Sequence, residues 1–115
     1  MTVLTKRFRV RGVHVLFDRH HIEPKHGHEY YLEVSVDAKA GRDLLSTVVQ
    51  REILDSWDKK DWSKMGLLQA SGELLVEEFD RRIRNSELRD SLVAVALQET
   101  AKNRFISSMS LEDKD

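Results

Sequence analysis

Apolar and polar residues alternate along two early segments of the chain, and this period of two is typical of β-strands with one buried face. The first segment runs from Val3 to Val15, and in it the even positions from Phe8 to His14 have one parity while Arg7, Arg9 and Arg11 have the other. The second runs from His28 to Ala38 with the same kind of alternation. A polar stretch with the only proline, Pro24, separates them, so the pattern predicts two antiparallel strands joined by a connection.

The hydrophobic period lengthens after Gly41, where apolar residues recur every three or four positions. This spacing predicts a first helix that runs to about Trp57 and has Asp43 as its N-cap. A second helix is predicted over residues 72–83, with Ser71 as its N-cap. The charged segment that follows is turn-like, so the middle of the chain contributes two helices.

Alternation returns near the end of the chain, where Leu92 to Thr100 predicts a third strand and Phe105 to Met109 predicts a fourth that pairs with it. The polar tail from Ser110 to Asp115 is expected to fray. The order β-β-α-α-β-β predicts an α+β fold in a single domain over residues 1–115. In that fold a four-stranded antiparallel sheet carries two helices on one face.

One face of the predicted sheet has no layer in this chain to cover it, and we assign Val34 and Val95 to that face. Exposed apolar surface and open strand edges are features that partner chains usually bury. The sequence therefore predicts a homo-oligomer.

Composition narrows the classes of partner. The 115 residues include 40% hydrophobic and 34% charged residues, with a formal net charge of -1, so no basic excess favours nucleic acid or an anionic membrane. The chain has no apolar run of about 18 residues and no apolar block near Met1, so we expect no membrane span and a cytoplasmic location. Cysteine is absent, which leaves nitrogen and oxygen as the metal ligands and excludes a thiolate nucleophile.

Three histidines carry the candidate chemistry. His26 and His28 flank Gly27 at the start of the second predicted strand, and two residues of that spacing project to the same side of a sheet. His14 lies near the end of the first strand. Three neutral imidazoles that converge form a zinc site with an open fourth position. The alternative is three surface or core histidines that bind no metal.

Five short segments, in this order, resemble the 6-pyruvoyl-tetrahydropterin synthase and 6-carboxy-tetrahydropterin synthase family. They are Phe8 to His14, His26-Gly27-His28, Trp57 to Trp62, Ala70 to Glu73 and Gln98-Glu99-Thr100. The resemblance covers roughly residues 6 to 108 and implies the tunnelling fold, with a pterin substrate and a pocket between the subunits of a homo-oligomer, a trimer or a hexamer.

The same resemblance implies roles for individual residues. His14, His26 and His28 correspond to the ligands of a Zn²⁺ cofactor, and Glu99 to the carboxylate that holds the pterin ring. Thr100 and Ser71 fall at substrate-binding positions of the family. Two of these residues have a plainer alternative: Glu99 is an exposed strand end, and Ser71 is a helix cap.

The chain departs from the family pattern at two places. The family's cysteine is missing, and Glu23 stands three residues before His26, where some relatives have a glutamate. Those relatives resemble enzymes that cut the dihydroneopterin side chain. The family's aspartate-histidine pair is Asp58-Lys59 here, so a lysine replaces the histidine that transfers a proton. We assign Glu23, Asp58 and Lys59 as catalytic residues, against the alternatives of a solvated loop carboxylate and a solvated charged turn.

The resemblance therefore implies a zinc-dependent lyase that cleaves a dihydroneopterin derivative to 6-hydroxymethyl-dihydropterin. Two alternatives stay open. One is the 6-pyruvoyl or 6-carboxy-tetrahydropterin synthase type of reaction, for which the absent cysteine is unfavourable. The other is a non-catalytic relative that binds pterin or zinc, which the absent histidine favours.

Overall fold

The computed structural model of the protein describes residues 1–14, 26–62, 72–99 and 103–112. Within these ranges the side chains of six residues lie outside the description: Val13, His14, His26, His28, Leu111 and Glu112. The predicted α+β fold is confirmed, because one β-sheet carries its helices on a single face.

Two long strands form the centre of the sheet. Strand β1 (Val3–His14) pairs antiparallel with β2 (His26–Asp37) along its whole length, from Val3 opposite Asp37 to His14 opposite His26. Strand β4 (Leu92–Glu99) pairs antiparallel with the other edge of β2. The first three predicted strands are therefore present, and β2 begins two residues earlier than the alternation indicated.

The two outer strands differ from the prediction. The described sheet has five strands in the order β3-β1-β2-β4-β5, and β3 (Lys60–Asp61) runs parallel to β1. The prediction of a four-stranded, purely antiparallel sheet was therefore wrong in the number of strands and in the direction of β3. A two-residue strand is too short to show a hydrophobic period. Strand β5 (Asn103–Ile106) begins and ends earlier than predicted, and it pairs with β4 as expected.

The first helical segment is continuous in the chain but not uniform. An α-helix, α1 (Arg42–Val49), leads into a π-helical segment (Gln50–Leu54) and then into α2 (Asp55–Trp57). The N-cap is Gly41, which has a φ of 86° and provides no side-chain cap, so the prediction of Asp43 as the cap was wrong. Asp43 lies in the first turn, where a negative charge is favourable near the helix N-terminus.

The second predicted helix is confirmed as α3 (Gly72–Arg84). Its apolar side, together with that of the first helical segment, packs on one face of the sheet. The buried core joins residues of these helices to alternate residues of the strands: Val10, Tyr30, Leu32, Val34, Val36, Leu45, Val48, Val49, Ile53, Trp57, Trp62, Leu75, Val76, Phe79, Ile83, Leu88, Val95 and Leu97.

The face without helices is mainly polar, contrary to prediction. Val34 and Val95 are fully buried beneath the helices, so assigning them to the uncovered face was wrong. The opposite face carries ion pairs instead, in which Glu33 accepts from Arg7 at 3.0 Å and from Arg104 at 2.8 Å. The two valines therefore give no argument for an oligomer, and the large apolar residues exposed on this face are Val3 and Ile106 at its margins.

The C-terminal segment is anchored more firmly than predicted. Residues 108–112 form a short helix, α4 (Ser108–Glu112), so the expected fraying from Ser110 onwards was wrong up to Glu112. The hydroxyl of Ser110 accepts from the Val95 backbone N–H at 3.0 Å and donates to the buried Asp80 at 3.2 Å. A polar residue is stable in this interior position because each of its hydrogen-bonding groups has a partner.

A close contact joins β1 to the segment that follows α2. The indole of Trp62 is fully buried and lies directly on Gly12, where the Cβ of any other residue would overlap the ring. The Trp62 indole N–H donates to the Trp57 carbonyl at 2.7 Å. Glycine is therefore required at position 12 for close approach, not for an unusual backbone conformation.

We predict that Gly12→Ala lowers the free energy of unfolding by about 1–3 kcal/mol, because the added methyl group overpacks the Trp62 ring. Urea unfolding followed by circular dichroism measures the change. Gly27→Ala is the matched control in the paired strand, since its Cβ would meet nothing within 4 Å in the described part of the chain. Equal destabilisation by the two substitutions would contradict the overpacking explanation.

Candidate functional site

The β1–β2 register brings the backbone positions of the three histidines together. His14 lies opposite His26, and His28 lies opposite Gly12. Opposed Cα atoms in antiparallel strands are about 4.5–5.5 Å apart, and residues two positions apart on one strand are about 7 Å apart. The backbone spacing of the three positions is therefore compatible with the single ion that the resemblance implies.

The histidine side chains themselves lie outside the described part of the structure. Among the side chains that are described, no group of three or more His, Asp or Glu residues is placed to hold a metal. The zinc prediction therefore stays a prediction that depends on the strand register.

Glu99 lies at the same end of the sheet as the histidines. It ends β4 opposite Tyr30, and Tyr30 in turn lies opposite Val10. Tyr30 is buried, with its ring centroid 5.8 Å from that of Trp62. Burial and, to a lesser extent, the negative charge of Glu99 raise the pKa of Tyr30 to about 12, so the phenol is neutral at physiological pH.

Asp58 and Lys59 form the turn between α2 and β3, next to the same end of β1. The Asp58 carboxylate accepts from the Arg11 backbone N–H at 2.8 Å and from the Arg11 guanidinium at 3.3 Å. The Lys59 backbone N–H donates to the Arg11 carbonyl at 2.6 Å. Lys59 has a φ of 61°, which a residue with a side chain seldom adopts, and it is exposed.

The protonation of Asp58 is set by opposing influences. Partial burial alone would raise the pKa of its carboxyl group. The hydrogen bonds from the Arg11 backbone and guanidinium, with the positive charges of Arg11 and Lys59, more than offset this and lower the pKa below its ordinary value. Asp58 is therefore an anion near neutral pH.

The start of α3 is tied to this end of the sheet by a second glycine contact. Gly72 lies against the Phe105 ring, at a position where a Cβ would overlap it. Phe105 pairs with Leu97, two residues before Glu99. Five described segments therefore converge: the end of β1, the start of β2, the end of β4, the turn before β3 and the start of α3.

Three of the predicted site residues lie outside the described residues: Glu23, Ser71 and Thr100. The sequence analysis missed Arg11 and Trp62, which hold the Asp58–Lys59 turn. The signals available were weak. Arg11 looked like one of three surface arginines on its strand, and Trp62 lay within a polar connection.

The opposite end of the sheet holds a surface cleft of about 530 Å³, lined by Met1, Thr2 and the segment Asp37 to Lys39. Because Val3 lies opposite Asp37, this cleft is a full strand length away from His14. It is therefore separate from the candidate site.

In the part of the chain that the structure describes, no helix has the length and apolarity needed to cross a membrane.

Comparison with known proteins supports the fold. No family model and no curated protein matches the chain. Among solved structures, the 6-pyruvoyl tetrahydropterin synthase of Caenorhabditis elegans matches with a TM-score of 0.71 and 17% sequence identity. The match covers 91% of this chain and 93% of that one.

The chain thus has the architecture of the α+β proteins with a tunnelling fold. Its fold is that of 6-pyruvoyl tetrahydropterin synthase, as the resemblance implied. At 17% identity the likeness concerns the fold, and activity has to be argued from the residues of this chain.

We predict that Asp58→Asn lowers the free energy of unfolding at pH 7 by about 1–2 kcal/mol, because the charge-assisted bonds to Arg11 are weakened. The folded-state pKa of Asp58 lies below its unfolded value, so its contribution is complete above about pH 5 and declines as the pH falls through 4 and below. Urea unfolding of both proteins between pH 3 and 7 tests this. A difference that does not shrink in acid would contradict it.

Proposed function

We propose that the protein is a zinc-dependent enzyme of pterin metabolism that cleaves the side chain of a dihydroneopterin derivative to give 6-hydroxymethyl-dihydropterin. The observation that carries the proposal is the β1–β2 register, which sets His14 opposite His26 and Gly12 opposite His28. The shared fold with 6-pyruvoyl tetrahydropterin synthase supports a pterin as the substrate class.

His14, His26 and His28 would hold the zinc ion through neutral imidazole nitrogens. When bound, the ion supplies Lewis acidity toward the hydroxyl groups of the substrate side chain. The three ligands leave one coordination position for substrate, and the absence of cysteine is consistent with an all-nitrogen ligand set.

Glu99 would bind the pterin ring. A carboxylate can accept two parallel hydrogen bonds from the amino-pyrimidinone edge, which is a strong and orienting arrangement. Its place at the end of β4, one strand away from the histidines, supports that role. Thr100 and Ser71 are proposed as further substrate-binding residues.

Glu23 would act as the general base. It removes the proton of the C2′ hydroxyl, the C2′ oxygen forms a carbonyl, and the C1′–C2′ bond breaks. The electron pair of that bond passes into the conjugated dihydropterin, and C1′ is then protonated to give the hydroxymethyl product and a two-carbon aldehyde. No thiolate is needed in this sequence of steps, and Lys59 is the proposed proton donor to C1′.

The enzyme is proposed to act in the cytoplasm as a homo-oligomer, a trimer or a hexamer, with a pocket between subunits. Because Val34 and Val95 are buried, the structural support that remains for an oligomer is an open strand edge. In the described part of the chain, β3 covers β1 only at Gly12 and Val13, so the earlier residues of that edge have no strand beside them.

A product assay tests the reaction. We expect zinc-loaded protein incubated with dihydroneopterin to yield 6-hydroxymethyl-dihydropterin, detected by chromatography with fluorescence. Dihydroneopterin triphosphate is assayed in parallel. A pyruvoyl or carboxy product from either substrate would replace the lyase proposal with the synthase type of reaction.

We expect Glu23→Gln to reduce turnover by at least about 100-fold, the usual contribution of a general base, while zinc remains bound. Glu87→Gln is the control, because Glu87 forms an exposed ion pair with Arg51 outside the candidate site. Retained activity in Glu23→Gln would remove Glu23 from the mechanism.

Zinc binding is measured without reference to turnover. We expect elemental analysis to find a single zinc per chain, and His28→Ala to lose nearly all of it, because two imidazoles hold zinc far more weakly than three. His20→Ala is the matched control, since His20 has no ligand spacing to the other histidines. Equal zinc content in both variants would contradict the proposed ligands.

A second candidate is a non-catalytic relative that binds pterin. It is favoured by the substitution of lysine for the family's histidine and by the engagement of Asp58 with Arg11. Tight pterin binding without any product in the assay above would select this alternative.

A further inference from the structure

The turn before β3 is held to β1 by a side chain that takes the place of a backbone group. In a strand pair, both the N–H and the C=O of alternate residues bond to the neighbouring strand. The Arg11 carbonyl accepts from the Lys59 backbone N–H at 2.6 Å, whereas the Arg11 N–H donates to the Asp58 carboxylate at 2.8 Å. Asp58 therefore completes the ladder that continues with Gly12 and Lys60.

The guanidinium of Arg11 adds a second bond to the same carboxylate, at 3.3 Å. Both carboxylate oxygens of Asp58 therefore accept a hydrogen bond from Arg11, and the side chain is only about one-fifth exposed to solvent. A group that carries protons must be free to gain and lose one, and protonation here would break the bonds that hold the turn. The arrangement is that of a fixed acceptor.

Lys59 has the opposite character. Its backbone has a φ of 61°, in the left-handed region that a residue with a side chain seldom adopts. Its side chain is exposed and has no hydrogen bond or ion pair among the described residues. The turn and the Lys59 N–H bond to the Arg11 carbonyl thus fix the backbone of this residue, and its exposed ammonium group remains available to a ligand.

Trp62 secures the other end of the same segment. Its indole lies on Gly12 of β1. Its N–H donates to the Trp57 carbonyl, so the residues that precede and follow the Asp58–Lys59 turn are joined. Gly12 is the strand partner of His28. The turn is thus fixed at both ends against the part of the sheet that carries the histidines.

We infer that Asp58 is a positioning residue, because its carboxylate replaces a backbone carbonyl as the acceptor for the Arg11 N–H of β1. In this way Asp58 holds Lys59 beside the histidine end of the sheet, where Lys59 is the ionisable group that acts. The structural half of this inference stands without any activity, whereas the role of Lys59 rests on the proposed function. The expected division of roles differs from a relay in which Asp58 and Lys59 both exchange protons.

Amide hydrogen exchange tests the structural half. In Asp58→Ala the Arg11 amide should exchange at least about tenfold faster than in the wild type, because its acceptor is gone. In Asp58→Asn the amide oxygen can still accept, although more weakly, so relative to the Val10 rate the Arg11 rate should rise far less than in Asp58→Ala. The Val10 amide, which faces β2, is the internal control for global unfolding. Unchanged Arg11 exchange in Asp58→Ala would overturn the inference.

Turnover of the zinc-loaded protein tests the functional half. Asp58→Asn should recover at least about tenfold more kcat than Asp58→Ala, whereas Lys59→Gln should lose kcat and leave Arg11 exchange unchanged. If Asp58→Asn restores Arg11 protection and is still as inactive as Asp58→Ala, Asp58 is a proton carrier and the inference is wrong. If the wild type turns over no pterin, the proposed function fails, and the exchange rates alone decide the role of Asp58.

Discussion

The pairing register of β1 and β2 is the constraint on which the rest of this structure depends. It extends without interruption from Val3 opposite Asp37 to His14 opposite His26. A slip of one residue would turn every side chain of one strand to the other face, so burial of Val10 and Tyr30 fixes the whole alignment. The hydrophobic core therefore determines, at a distance, which histidine positions lie opposite each other.

Much of the fold could be predicted from periodicity alone, because both helices and the three long strands carry strong patterns. What failed has physical causes. Alternation distinguishes two faces of a strand but not which face is covered, so Val34 and Val95 were assigned to the wrong side. A two-residue strand such as β3 has no period. Ser110 is polar, yet it is buried because Asp80 and the backbone of β4 satisfy its hydroxyl.

The candidate site was predictable in its order along the chain but not in its contacts. His28 and Glu99 lie at or next to strand ends that the alternation marks, whereas His26 lies two residues before the start that it indicated. The partner of Asp58 does not, because Arg11 lies 47 positions earlier and meets it only through the parallel pairing of β3. Residues that hold a turn from a neighbouring strand leave no local signal in the sequence, whereas residues with unusual spacing do.

The hydrogen bonds of Ser110 have a consequence for how the chain acquires its structure during synthesis. Asp80 and the Val95 N–H are both interior groups, and their shared partner is translated after all five described strands of the sheet. Until residues near 110 have left the ribosome, a buried carboxylate and a backbone donor lack that partner. The earlier elements can therefore collapse in order, but the packed native state becomes accessible only late in translation.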